Sequence, residues 1–594
     1  MSDLHHFYID RKDEFERQCL GLRMRAKWIS AGRIVVALTI VALVYLSFDL
    51  LALSYFILPI LLLFVFLVSW YTKIQERITY LSNLSQLNIL EANALDHEYS
   101  QFGDGAEYAD PSHSYSYDLD LFGKGSLFQY LNRCGTRVGA DALANRLLLP
   151  CASEEAIRDR QQAVEELSKN VELRQAFWAH GQTHEKQNQN NAKFFAWLKG
   201  EDHTRGRAIY RVALIVFPVI SLGTIGLVIY NFDFFPLLLL GMGVQLTITS
   251  FHTKMVKQTE STLTSYQKIF KKYSLLLNVM DKADFTSTLL VAARENARQA
   301  SKQIIRFSKL VNALESRNNA FAYAFGNGFY LYDLQYVYQL EKWRHENSAV
   351  VSQWIDKIAE VDELISFATF YFNNPNNSFP TIHAKQEVEA EVVGHPLIAG
   401  TERVGNTFNL GRKERIMLIT GANMAGKSTF LRTVGVNLVL ALSGSSVCAR
   451  KFTCPIIGLA TSMRATDSLV EHQSYFYAEL NRLKSVMESA NSGRPHLVLL
   501  DEILRGTNSN DKHDGSVGLV KQFVNANALV MLASHDVELG KLAQEYPDAI
   551  RNFCFESEIK DDTLRFDFTL HEGVAKKANA TFLMRQMGIL PKEN

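Results

Sequence analysis

Residues 420–429 read TGANMAGKST. From Gly421 this fits G-x-x-x-x-G-K-[ST], directly after the apolar run IMLIT at 416–420 and before FLRTVGVNLVLAL. A strand, a glycine-bearing turn and a helix in that order form a cradle for phosphate. The backbone N–H groups of Gly421, Ala422, Asn423, Met424, Ala425 and Gly426 point into such a cradle at a helix N-terminus. Lys427 is placed to neutralise β/γ oxygens, and the Ser428 hydroxyl, with Thr429 beside it, to ligate Mg²⁺. The stretch therefore predicts ATP and Mg²⁺ as cofactors.

Working outward, short apolar runs recur at 497–500 (LVLL) and 529–534 (LVMLAS), alternating with helical segments, so the chain from Pro380 onward reads as α/β around a parallel sheet. The first run ends in Asp501 and Glu502, the second in His535. An acidic pair is commonly just a solvated strand end, and a lone His is commonly structural. A phosphate loop 80 residues before Asp501 changes that reading: Asp501 is predicted to hold Mg²⁺, Glu502 to polarise the attacking water, and His535 to orient it near the γ-phosphate.

Phosphate loop, TDSLVEHQSYFYAEL, acidic pair and His follow one another in the layout of ABC-type ATPases. The sequence resembles the MutS family in particular. TGANMAGKST is similar to that family's TGPNMGGKST, DEILRGT to DEIGRGT, SLVEHQSYFYAEL to a signature ending in STFMVEM, and ASHDVEL to ATHYFEL. GHPLI at 394–398 with Asn406 following, and residues 131–167, extend the likeness, which covers 118–198 and 304–591. It implies that Asn423 contacts the γ-phosphate and that Ser474 is offered in trans to a partner subunit's ATP, hence a homodimer.

The sequence also departs from the family. Ala422 and Ala425 stand where the family has Pro and Gly, which is tolerable where φ is negative. Leu504 replaces a Gly beside the acidic pair, and His472, Gln473 and Tyr475 alter the signature. Residues 1–110 hold no counterpart of the family's mismatch-reading domain. The expectation from the last residues, which resemble the end of the ATPase domain, is that the family's C-terminal dimerisation helices are missing and that membrane hairpins help pair subunits.

Upstream, residues 34–71 are apolar apart from Asp49, and residues 212–251 repeat the pattern around Asn231, Phe232 and Asp233. A membrane-crossing helix needs ~20 apolar residues, so each stretch predicts a helical hairpin, four spans in all. Basic residues flank the inner ends (Arg23, Arg25, Lys27, Arg33, Lys73, Arg77; Arg205, Arg207, Arg211, Lys254, Lys257) and neither turn has any. The positive-inside rule then sets the soluble parts in the cytoplasm, with a bacterial inner membrane as the suited location. A cleavable signal is not expected, since the first apolar region is too long and lacks a small-residue cleavage site.

With 594 residues, 47% hydrophobic and 21% charged, the chain is not disordered, and its 62 basic and 62 acidic residues exclude any argument from net charge. The six cysteines (Cys19, Cys134, Cys151, Cys448, Cys454, Cys554) are scattered without metal-ligand spacing, so reduced thiols and no zinc are expected. The fold class read from this is multidomain α and α/β: transmembrane hairpins, a MutS-like helical core with levers, and a C-terminal ABC-type P-loop ATPase domain. The segments are 1–33 (cytoplasmic), 34–71 (first hairpin), 72–211 (linker, with 95–117 a loop, and first part of the core), 212–251 (second hairpin), 252–378 (rest of the core and levers) and 379–594 (ATPase).

Arg294, Arg298, Lys302 and Arg306 recur every four residues, a basic stripe on a predicted helix suited to DNA or to lipid headgroups. The function expected is a membrane-anchored, ATP-dependent dimeric clamp on mismatched or branched DNA. The rivals are a transporter-like or membrane-remodelling machine, for which the signature is wrong and the spans few, and an ATP-gated protein scaffold.

Overall fold

The computed structural model describes residues 2–182, 192–200, 202–205, 207–422, 424–464, 475–560, 563–575 and 589. Helices α1 (Ser2–Leu46) and α2 (Ser54–Leu95) form an antiparallel hairpin that turns near Asp49 through a short 3-10 segment, Leu51–Leu53. Its far half exposes Leu38, Val41, Phe56, Leu62 and Phe66. Its near half is bolted to the helical core: the Tyr8 hydroxyl donates to Asn373 Oδ1 (2.7 Å), Arg11 to Gln175 (3.1 Å) and Asn83 to the Ala179 carbonyl (2.9 Å).

The segment 96–126 has little regular structure beyond a 3-10 turn at Ala106–Tyr108. Then come α3 (Leu127–Leu131), α4 (Arg137–Leu148), α5 (Glu154–Lys169), α6 (Val171–Gly181) and α7 (Ala192–Leu198). The first four start where Ser126, Thr136, Ser153 and Asn170 accept a first-turn N–H, the capping geometry those side chains favour. A second antiparallel hairpin follows, α8 (Ala208–Tyr230) and α9 (Phe235–Asp281), then α10 (Thr288–Glu315), α11 (Ala320–Tyr330), α12 (Tyr332–Asn347) and α13 (Val351–Asn373). Among the described residues, α1, α2, α8 and a helix extending through α9 are long and apolar enough to cross a membrane, by length and composition. Helices α1, α2 and α9 run through residues 33, 71 and 251 without a break, so the apolar segments continue as rigid rods into the core.

The C-terminal part is α/β. Strands β1 (Thr381–Ile382), β2 (Val388–Val393) and β3 (Asn406–Leu410) precede β4 (Ile416–Gly421) and α14 (Lys427–Leu442). After them come β5 (Lys451–Cys454), β6 (Gly458–Ser462), α15 (Tyr475–Ala490), β7 (His496–Asp501), α16 (Ser509–Asn525), β8 (Ala528–Ser534), α17 (Leu542–Glu545), β9 (Ile550–Lys560) and β10 (Thr563–Glu572). The main sheet has the order β10-β9-β4-β8-β7-β6, parallel except for the edge pair β10-β9, and a smaller sheet has the order β1-β5-β2-β3. Strands β4 and β8 are buried along their whole length, as expected of parallel strands covered on both faces.

Helical core and sheet meet at the end of α14. Cys151 N donates to the Leu442 carbonyl (2.9 Å), and Arg160 to the Ser443 carbonyl (2.8 Å) while pairing with Glu363 of α13. Asp362, next along α13, accepts from Gly135 N (2.9 Å), Thr136 N (2.9 Å) and the Thr136 hydroxyl (2.6 Å), fixing the start of α4.

Candidate functional site

Three carboxyl ends of the sheet lie side by side. The register pairs Thr420 with Ser534 and Asp501 with Ala533, so the loops leaving β4, β7 and β8 open onto one edge, the usual ligand crevice of a parallel sheet. Gly421 and Gly426 take φ of +153° and +107°, and a Cβ on Gly421 would meet the Phe555 carbonyl at 2.7 Å. Glycine is required there. Ala422 and Ala425 stay outside the left-handed region, whereas Met424 adopts φ +67° with its side chain 76% exposed. Ser428 and Thr429 occupy the first turn of α14; Asn423 and Ser474 lie outside the described residues.

Lys427, 4% exposed, folds back so that Nζ donates to the carbonyls of Gly421 (2.7 Å) and Ala422 (2.8 Å). Burial pulls its ammonium below the usual lysine range, opposed by the charges of Glu502 and Asp501. Among the described residues this cation has no carboxylate partner of its own, and it is poised for an anion. Asp501, 7% exposed, is pushed above the usual carboxylate range by burial, against a hydrogen bond from Ser428 and the nearby Arg505. Its Oδ1 is buried without a hydrogen-bond partner among the described residues. A buried, unpaired carboxylate oxygen facing a hydroxyl at a phosphate-loop helix is a donor set that fits Mg²⁺.

Glu502 follows at φ +48°, and its Oε1 lies 3.7 Å from His535 Nδ1. His535 is half exposed, and its other ring nitrogen lies 3.5 Å from Lys512 Nζ. The structure thus brings Lys427, Ser428, Asp501, Glu502 and His535 to one edge. Three further residues belong to the site that sequence reading left without a role. Arg505 donates from Nε to the Glu502 carbonyl (3.0 Å) and comes within 3.8 Å of Asp501 Oδ2 and 3.5 Å of Glu502 Oε2. Glu479 of α15 accepts from Leu504 N (2.6 Å) and Arg505 N (3.1 Å), tying that helix to the acidic loop. Asn406 binds both sides of the β10 bulge, donating to the Phe568 carbonyl (3.1 Å) and accepting from Leu570 N (2.7 Å), which sets Phe568 against Gly426. The signal for Arg505 was in DEILRGT itself, four residues after Asp501; the other two depend on contacts far apart in the chain.

The basic stripe is not a continuous surface. Arg294 is half-buried and donates to the Ala283 carbonyl (3.3 Å), and Arg306 pairs with Glu346 (3.1 Å). Arg298 and Lys302 remain exposed.

Two family models match the chain: MutS domain V over residues 417–593 and MutS domain III over 85–184. Among curated proteins, the DNA mismatch repair protein MutS of Natronomonas pharaonis is 32% identical over 236 residues, 39% of this chain and 27% of that protein. The DNA mismatch repair protein MutS of Thermotoga neapolitana is 29% identical over 230 residues, 38% of this chain and 28% of that protein. The matched part of the chain thus spans little more than a quarter of the length of these relatives.

Proposed function

The chain belongs to the MutS family, and from that premise we propose that it is a membrane-anchored ATPase whose nucleotide-driven homodimer closes as a clamp on DNA. The observation that carries the ATPase reading is the convergence of Lys427 with the buried Oδ1 of Asp501, which has no hydrogen-bond partner among the described residues, at the carboxyl edge of the sheet. On this reading Lys427 leaves its two carbonyls for the β/γ oxygens, and backbone N–H groups of 421–426 take the phosphate charge. Ser428 and Asp501 would hold Mg²⁺, which would screen phosphate charge in the crevice. Glu502 accepts a proton from the attacking water, and His535, within reach of Glu502, orients that water. Asn423 completes the γ-phosphate contacts, and Ser474 reaches the partner's nucleotide.

The apolar hairpins α1–α2 and α8–α9 are proposed as four spans with the soluble parts on the cytoplasmic side. DNA is the proposed load because both of these relatives are DNA mismatch repair proteins. Arg298 and Lys302 are the stripe residues free to meet a polyanion, so the electrostatic footprint is small and no base-mismatch reader is assigned.

The test is ATP-dependent binding of detergent-solubilised protein to homoduplex, mismatched and branched DNA across a salt series, with Lys427→Ala as control. Binding that responds to ATP and is lost in the variant supports the clamp, and the preferred DNA names its job. Binding that salt erases on all three DNAs alike would overturn the DNA reading. A second reading, an ATP-driven membrane machine, is favoured by one observation: the near halves of both hairpins are hydrogen-bonded into the same helical core that docks on α14. Turnover stimulated by lipid and indifferent to DNA would select it.

A further inference from the structure

Helix α11 has the sequence AFAYAFGNGFY, and from Asn318 to Tyr332 the chain carries no charge. The two charges that bound it, Arg317 and Asp333, pair with each other at 3.0 Å, with Glu260 of α9 at 3.7 Å from Arg317. Both ends of the segment are thereby pinned at one neck. Leu331 turns the chain back at φ +51°, a left-handed conformation that a non-glycine residue adopts only when packing enforces it. Here the Leu331 side chain is buried with Leu214 and Leu334.

Helix α11 does not return to the soluble core. It lies on the second hairpin, where a Cβ added to Gly328 would sit 2.5 Å from Met242 Cγ and the Thr249 hydroxyl donates to Asn327 Oδ1 (3.5 Å). Met242 stands about midway along α9 between the outer turn at Phe232 and the basic rim that starts at His252 and Lys254. At ~1.5 Å per residue, that is ~15 Å inward from the rim, half the ~30 Å thickness of a bilayer's hydrocarbon layer. Alongside this buried contact α11 exposes Phe321 (76%), Phe325 (55%) and Tyr330 (44%). The start of α11 lies beside Glu260, to which Asn318 donates (2.7 Å), and its C-terminal end reaches the middle of the apolar hairpin; the aromatic side chains left open toward that end have hydrocarbon as the matching solvent.

We propose that α11 enters the bilayer as a short re-entrant helix beside α8 and α9, its aromatic face against lipid and its Gly328 face against Met242. The proposal rests on the reading of the hairpins as membrane spans. At 11 residues, α11 is ~16 Å long, too short to cross and of the length that re-entrant segments have. It sits at the tip where α10 and α12 join, so this tip is held in the membrane rather than left free in solution.

The test uses the full chain in phosphatidylcholine–phosphatidylglycerol vesicles with single spin labels at Tyr330→Cys, Phe325→Cys, Val219→Cys in α8 and Lys484→Cys on α15. The unsubstituted chain, whose cysteines are buried or half-buried, supplies the labelling background. Collisions with oxygen, which partitions into lipid, are compared with those of a water-soluble nickel chelate. The expected result is that Tyr330 and Val219 labels collide with oxygen and lose the nickel collisions, Phe325 follows at shallower depth, and Lys484 shows the reverse. If the Tyr330 and Phe325 labels behave like Lys484 while Val219 stays lipid-shielded, α11 is outside the bilayer and the inference falls with the spans intact. A water-exposed Val219 label overturns the spans, and the inference with them.

Discussion

Leu504 stands at φ +60°, next but one to Glu502 at +48°, so the acidic loop makes a left-handed bend with two side chains where glycine would be unstrained. Leu504 is nevertheless buried, against Gly515, where any Cβ would strike it. Leu504→Gly relieves about 1 kcal/mol of backbone strain but removes a buried side chain whose loss costs about 2–5 kcal/mol. Net destabilisation of about 2 kcal/mol is expected in thermal unfolding; a raised Tm would mean that strain dominates. For catalysis, Glu502→Gln should retain nucleotide binding and lower kcat by about 10²–10³-fold, read by comparing ATP binding with phosphate release. Loss of binding instead would assign Glu502 to the metal. The residues legible in the sequence were those whose role depends on immediate neighbours: the loop at 421–429, Asp501 with Glu502, and His535 at a strand end. Glu479 and Asn406 were opaque because each acts on backbone brought to it by the fold, from Leu504 and from Phe568.

At the scale of elements, α13 is the organiser, since Asp362 caps α4 with three hydrogen bonds while its neighbour Glu363 holds Arg160 and Arg146. Asp362→Ala leaves two buried N–H groups and a hydroxyl unpaired, a loss of about 3 kcal/mol or more, visible as a lower midpoint in urea; an unchanged midpoint would show that water replaces the carboxylate. Two histidines on soluble elements tie packing to pH. His180 of α6, stacked on Tyr80 of α2, is pushed down to about 4 by burial and then by Arg77, and His395 to about 4 by burial, Arg432 and Arg403. Unfolded, both take up a proton near 6.5. Between about 6.5 and 4 the unfolded chain therefore binds protons that the folded one does not, and stability, fully present above that window, falls as pH drops, by about 1 kcal/mol per unit for each. His180→Gln should flatten the pH dependence of Tm, and an unaltered slope would remove His180 from the account. The periodicity of the apolar stretches was enough to read helices, but not that α1, α2 and α9 continue unbroken into the core. The basic flanks mark a change of composition, not of backbone conformation. The four-residue repeat of the stripe was likewise real, yet Arg294 and Arg306 turned to the Ala283 carbonyl and Glu346, partners no local pattern encodes.

Over the whole molecule, α14 links the phosphate loop to the helical core: Lys427 begins it, and Cys151 and Arg160 grip the Leu442 and Ser443 carbonyls at its end. Arg160→Ala, which leaves Glu363 with Arg146 alone, should leave basal turnover within about 3-fold while abolishing the effect of ATP on whatever load the proposed clamp carries; equal loss of both would place Arg160 in the folding of the α/β part. The 16 residues of α14 make a rod of ~24 Å, buried along most of its length, with little room to bend. A rod of that kind works in both directions. Whatever nucleotide does to the core through α14, a change imposed on the core must do back to nucleotide, because coupling free energies are reciprocal. On the proposed reading of the hairpins as membrane spans rooted in that core, bilayer thickness and tension become inputs: the chain would be a gauge as well as an engine, with the Kd for ATP in thin and thick membranes as its dial.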